Sequence, residues 1–204
     1  MSSRIPFTVE DERRVLAAIA TFPARDRCAI LFGINTGFRA SELAAITVGH
    51  VWDGNQIRPE ITLARRNLKG GRGAQRRSVR SRTLPLNEAA RAALKSYLDE
   101  RLKQRGRLDP PEALFRSGRT GRGLSRWRLN AIVHRVVRAA GLDPGGRFGT
   151  HSLRKTFCAR VHQAVGRDIN LTRQAMGHRY VMTTQAYLEP DPTAVRSAIL
   201  SIGC

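Results

Sequence analysis

Apolar residues recur three and four positions apart through most of this 204-residue chain, and that spacing predicts helices. In "TVEDERRVLAAIA", residues 8–20, Thr8 stands as an N-cap before an acidic first turn, and Val15, Leu16 and Ile19 share one face. From Cys28 to Ile34 the chain is almost continuously apolar and then meets Asn35-Thr36-Gly37. A buried helix over 25–36, stopped by Gly37, is the expected result. "FRASELAAITVGHV" begins a short helix near Arg39 or Ser41.

After the turn signal Asp53-Gly54 the pattern changes to short runs rich in β-branched residues, "QIRPEITLARR" and "SVRSRTLPL". These predict two or three small strands, with "LKGGRGAQRR" as the tip of a hairpin between them. Asn87 then caps the long amphipathic helix "NEAARAALKSYLDERLKQRG", whose Ala90, Leu94, Tyr97, Leu98 and Leu102 lie on one face. The Arg-, Gly- and Pro-rich stretch 105–123 reads as a connector within the domain. Ser125 starts a further helix, with Leu129, Ile132, Val133, Val136, Val137 and Ala140 at helical spacing before Gly141. Shorter helices are expected at 151–165, 169–176 and 181–188, and a last one from Thr193 to Ile202. The fold class is mainly α with one small antiparallel β-sheet, in a single domain spanning 1–204.

Charge narrows the function. The chain carries 36 basic and 16 acidic residues, a net +20, and so large an excess calls for a polyanionic partner, DNA or RNA ahead of an anionic membrane. No stretch approaches the about 20 apolar residues of a membrane span, and no apolar signal-like run follows Met1, so the expected location is the cytoplasm, at the nucleoid. Cys28, Cys158 and Cys204 are odd in number and lack metal-ligand spacing, which reads as reduced, structural thiols. The predicted hairpin holds Arg65, Arg66, Lys69, Arg72, Arg76, Arg77, Arg80 and Arg82 and no acid. A protruding, positive ribbon suits a phosphate backbone, with Arg65, Arg66, Arg72, Arg76, Arg77 and the helical Lys155 as candidate DNA contacts. An RNA-binding protein would need aromatic stacking platforms, and 6% scattered aromatics offer few.

Four stretches hold candidate chemistry. In "TGFRASEL", Arg39 and Glu42 are three apart, so the carboxylate can orient the guanidinium or hold the neighbouring backbone. By itself this is also what a solvated ion pair looks like. In "THSLRKTF", His151 and Arg154 repeat the spacing at the start of a helix, where N-terminal amides favour an anion; a capping or core histidine fits equally. Lys69 sits at the hairpin tip, where a loop can carry an ammonium group into and out of a site or simply add one more charge to the ribbon. "GHRYVMTTQAYLEP", residues 177–190, places Tyr187 nine residues after His178, and a core tyrosine would explain Tyr187 alone.

Together, in the order Arg, Lys, His-x-x-Arg, His, Tyr, these stretches resemble the catalytic set of the tyrosine recombinases, the phage integrase family. The resemblance runs from Phe7 to Leu188 through "NTGFRASELAAITVGHV", "TLPL", "GTHSLRKTF" and "MGHRYVMTTQAYL". It implies the tyrosine recombinase catalytic-domain fold and a site-specific recombinase or integrase that cleaves and rejoins DNA through a 3′-phosphotyrosyl intermediate. Arg39 looks like the first catalytic arginine, Glu42 its supporting acid, Lys69 the hairpin lysine, His151 and Arg154 the paired histidine and second arginine, His178 the residue that is His or Trp in the family, and Tyr187 the nucleophile. Tyr97 and Tyr180 are then structural.

The chemistry fits these residue types. Permanently charged, forked guanidiniums suit the non-bridging oxygens of a phosphodiester, so the set implies neither a metal nor ATP nor any other cofactor, and no carboxylates cluster as a Mg²⁺ site would need. An ordinary phenol has a pKa of about 10 and is roughly one part in a thousand ionised at neutral pH, so Tyr187 needs a proton acceptor. His151 fits that role, and Lys69 fits the donor to the departing 5′ oxygen. The resemblance further implies a homotetramer on DNA, with residues 191–204 as a segment exchanged between subunits and helper DNA-binding proteins as further partners. A separate N-terminal core-binding domain, common in the family, is not expected in this chain. The rival readings are a type IB topoisomerase-like relaxation and a non-catalytic DNA-binding accessory protein of the same fold.

Overall fold

Gly37 organises the centre of the fold. It ends helix α2 (Ala24–Thr36) in the left-handed conformation, φ +59°, donating its N–H to Gly33 O, and a β-carbon there would lie 2.3 Å from Phe157 Cδ1. Only glycine meets both demands. The computed structural model describes residues 4–67, 81–142, 145–188 and 192–202. By their contacts they form two units, 1–157 and 158–204, although the composition has no break at that point.

In the first unit, α2 is buried on nearly every side, from Cys28 through Phe32 to Thr36, as its continuous apolar run requires. It lies against α5 (Glu88–Arg105). α1 (Val9–Ile19) packs on α6 (Arg126–Ala139). Thr8 and Asp11 close a reciprocal capping box at the start of α1, and Asn87 and Ser125 cap α5 and α6 as the sequence predicts. The stretch "FRASELAAITVGHV" becomes two short helices, α3 (Ala40–Ala45) and α4 (Val48–Val51), because Ile46 and Thr47 turn extended.

The sheet is a two-stranded antiparallel ribbon, β1 (Glu60–Leu63) with β2 (Arg82–Pro85), in the register Ile61 opposite Leu84 and Leu63 opposite Arg82. Ile61, Leu63 and Leu84 turn inward, while Thr62 and Thr83 bond hydroxyl to hydroxyl at 2.8 Å on the outer face. Ile57 joins Trp52 in an isolated bridge rather than a strand. The 105–123 connector is tied to the domain by a bridge from Ala113 to Thr47.

Two face assignments from the sequence need correction. Leu16 is 49% exposed, and α1 buries Glu12, Val15 and Ile19 instead. Leu102 is 39% exposed and Arg101, only 4% exposed, takes the inward place. The cause is the connector: Arg101 pairs with Glu112 and donates to the Ala113 and Leu114 carbonyls, partners that periodicity cannot see.

α7 (Thr150–Ala164) contains the division between the units. In the second unit α8 (Ile169–Met176), capped by Asp168, lies against α9 (Val181–Gln185). α9 is shorter than the expected 181–188, and α10 (Pro192–Ser201) follows.

Candidate active site

In the first unit the chemistry gathers on three consecutive residues. The Gly37 carbonyl accepts a hydrogen bond from Arg154 Nη1, and Arg154 is fully buried. Phe38 is fully buried beside it. Arg39 is the N-cap of α3, and Glu42 holds it at both ends: Oε2 accepts from the Arg39 backbone N–H and Oε1 from Arg39 Nη1, both at 2.8 Å. Both functions considered for this carboxylate therefore operate at once. Glu42 is buried whereas the Arg39 side chain keeps 24% of its surface in solvent, which is the arrangement of a guanidinium braced from below with its outer edge available to an anion.

Arg154 comes from the second turn of α7, whose start is fixed by α6. Asn130 Oδ1 accepts from Thr150 N and Oγ1 at 3.1 and 3.3 Å, and the Gly149 N–H reaches Ser152 Oγ. Amides expected to await an anion here are thus partly used by Asn130 and Ser152. Further along, Thr156 Oγ1 accepts from the Phe7 N–H at 2.8 Å and donates to the Ser152 carbonyl. His151 is exposed and Lys155 half-buried on the same helix.

The second unit carries the other half of the predicted set. Gly177, at φ +63°, terminates α8 and reverses the chain, and the His178 N–H returns to the Arg173 carbonyl at 3.0 Å. Arg173 Nη1 donates in turn to His178 O. The imidazole is 4% exposed, its Nδ1 lies 3.0 Å from Thr184 Oγ1, and its ring centre is 5.2 Å from that of Tyr187, tilted by 45°. When the Thr184 hydroxyl donates to Nδ1, the ring proton resides on Nε2, leaving that nitrogen a donor. Tyr187 is half-buried and its backbone N–H bonds the Thr184 carbonyl at 2.9 Å.

Of the predicted residues, Lys69, Arg72, Arg76 and Arg77 lie outside the described residues. Arg65 and Arg66 fall in a 3₁₀ turn after β1, with Arg65 exposed. Tyr97 is a structural residue, buried with its hydroxyl on the Leu114 carbonyl. Tyr180 is not: it is 59% exposed, with the Arg179 guanidinium 5.1 Å from its ring centre. As the N-cap position of α9 it stands outside the helix that covers His178.

Sequence reasoning missed Thr184, for which no local signal exists, and Arg82, for which one does. Alternation along β2 places Arg82 on the face of buried Leu84. Among the described residues no group of three or more His, Cys, Asp or Glu side chains could hold a metal, and no helix is long and apolar enough to cross a membrane.

Comparison with known proteins bears on the family and the fold. The phage integrase family model matches residues 7–193. Tyrosine recombinase XerC of Caldanaerobacter subterraneus subsp. tengcongensis is 29% identical over 196 residues, covering 96% of this chain and 50% of that protein. XerD of Caulobacter vibrioides is 33% identical over 186 residues, covering 87% and 54%. The crystal structure of XerA recombinase superposes with a TM-score of 0.72 at 23% identity, covering 97% of this chain and 63% of that one. XerH recombinase bound to its difH substrate superposes at 0.68 and 23%, covering 99% and 55%. At these identities the structural likeness establishes the fold, a mainly helical recombinase catalytic domain. The chain spans about half the length of the curated relatives it matches.

Proposed function

We propose, since this chain belongs to the phage integrase family, that it is a site-specific recombinase or integrase which breaks and rejoins double-stranded DNA through Tyr187. Tyr187 Oη attacks the scissile phosphorus, forming a 3′-phosphotyrosyl bond as the bond from phosphorus to the 5′ oxygen breaks. The phenolic proton passes to His151, and Lys69 delivers a proton to the departing 5′ oxygen. A 5′-hydroxyl of a second strand then attacks the phosphotyrosine, restoring the phenol. One phosphodiester is exchanged for another, so the step needs no external energy source.

Arg39 and Arg154 hold the non-bridging oxygens, with Glu42 bracing Arg39, and His178 adds a hydrogen bond as charge grows in the pentacoordinate transition state. The observation that carries the reading is the pairing of His178 with Tyr187 at 5.2 Å between rings, with the imidazole anchored by Thr184. Arg65, Arg66, Arg72, Arg76, Arg77 and Lys155 supply phosphate-backbone contacts. Assembly as a tetramer is supported by α10, which leaves Val195, Ile199 and Leu200 at 59–73% exposure and would exchange that apolar face between subunits. Helper DNA-binding proteins are further partners, and the site of action is cytoplasmic DNA.

The test is a nicked suicide duplex drawn from DNA flanking the gene. Wild type is expected to form a covalent protein–DNA adduct and Tyr187→Phe none. DNA binding without an adduct from wild type would favour an accessory binder of the same fold.

A further inference from the structure

At the end of α2 away from Gly37, about 18 Å along the helix at about 1.5 Å per residue, a cleft of about 460 Å³ opens between α2, α5 and the connector. Four guanidiniums line it, from three separate elements: Arg25 in the first turn of α2, Arg101 and Arg105 near the end of α5, and Arg116 on the connector. Their side chains keep 5–36% of their surface in solvent, so they are sunk in the walls. Asp26 is shared by Arg25 and Arg135, and Glu112 by Arg101, Arg105 and Arg116. With Glu100, which lines the same cleft and accepts from Gln104, three carboxylates serve five guanidiniums. Donors remain on the walls. Arg105 uses Nη1 alone for both oxygens of Glu112, and Arg101 Nε is buried with no hydrogen-bond partner among the described residues. Buried cations short of acceptors are costly, and an anion seated beside them lowers that cost.

The backbone around the cleft suits an anion as well. Pro23 and Ala24 line it, and the proline N-cap of α2 supplies no capping side chain, which leaves the positive end of that helix dipole to a ligand. Opposite lies the turn "SGRTG", residues 117–121. Arg116 lies across it, Nε donating to the Gly121 carbonyl at 2.7 Å, and glycine at φ +67° leaves it room, since a β-carbon there would come within 2.9 Å of Arg116 Nη2. Gly118 lines the cleft and has nothing within 4 Å of where its β-carbon would stand.

We propose that this cleft binds a small phosphate-bearing molecule. Forks arriving from three elements suit the several oxygens of a phosphate better than the two of a carboxylate. The volume falls in the range of roughly 300–1,000 Å³ usual for small-ligand sites, and guanidiniums recessed in its walls are within reach of a small anion but not of a duplex passing over the rim. The inference is independent of the recombinase reading.

The test is isothermal titration calorimetry of the full chain with inorganic phosphate and with adenosine 5′-monophosphate, each against chloride at equal ionic strength. Both are expected to bind at one site, weakened roughly tenfold or more by Arg105→Gln, which removes one fork, and by Gly118→Asp, which adds a carboxylate where there is room for it. Arg91→Gln removes an exposed charge of α5 outside the cleft and is expected to leave affinity within about twofold, as an exposed charge contributes little. Tighter binding of the nucleotide than of phosphate would make the ligand a nucleotide, and equal binding would make it free phosphate. No binding by wild type, or the same loss from all three variants, would overturn the site. So would a DNA duplex that displaces phosphate and is itself weakened tenfold by Arg105→Gln, since the cleft would then hold the DNA backbone. Adduct formation by Tyr187 is a separate readout, so failure here leaves the recombinase reading standing.

Discussion

Thr184 touches no DNA in the proposed reaction, yet it is the hydroxyl that orients His178. Replacing it with valine keeps the volume and removes the partner of Nδ1. Thr184→Val is expected to slow adduct formation about tenfold or more, because a loosened donor loses much of an oxyanion-type contribution, while the melting temperature falls only slightly. Single-turnover cleavage beside a thermal melt separates the two effects. At Gly37 the constraint is steric. Gly37→Ala forces a β-carbon into a left-handed backbone and against Phe157, so a destabilisation of about 2 kcal/mol or more is expected from urea unfolding. Cleavage should fall with it, since the same residue's carbonyl holds Arg154. The sequence announced the stop signal at Gly37 but not this second duty, because the partner lies 117 residues away.

At the scale of elements, the buried polar clusters decide faces that hydrophobic periodicity leaves ambiguous. α5 turns Arg101 inward because Glu112, on the connector, gathers Arg101, Arg105 and Arg116. Removing that carboxylate's charge leaves Arg101 buried beside two other cations, so Glu112→Gln is expected to cost about 3 kcal/mol of stability, measured by the same unfolding assay. A variant as stable as wild type would show the network to be dispensable. α2 is held in a similar way at its first turn, where buried Asp26 binds Arg25 and Arg135. Four caps and stops, by contrast, were legible: Thr8, Asn87, Ser125 and Gly37 all stand where the pattern put them, since a cap is satisfied by residues within four positions of itself.

For the molecule as a whole, the net charge of +20 would make the proposed DNA binding an ion-exchange process. Affinity is expected to fall roughly 10³-fold between about 50 and 200 mM salt, as it does when some six phosphates are neutralised; a filter-binding titration against salt gives the slope, and a flat one would argue against a phosphate-dominated interface. Truncation after Leu188 removes α10 and is expected to weaken assembly on DNA more than binding to a single site, with gel-shift stoichiometry as the readout; equal losses would count against the exchange role. Amino-acid order by itself determined the mainly helical succession with its one strand pair, and it pointed to a polyanion partner and to the series Arg39, His151, Arg154, His178 and Tyr187 as candidates, because periodicity, charge and motif spacing are local or additive properties of a chain. Only the tertiary structure decided that Glu42 braces Arg39 from a buried position, that Gly37 anchors Arg154, that Thr184 fixes His178 and that Arg82 lies over the Phe38 ring. Two of these, Gly37 with Arg154 and Arg82 with Phe38, couple residues far apart in the chain, and all four depend on burial, where a hydrogen bond or charge gains its strength from exclusion of water.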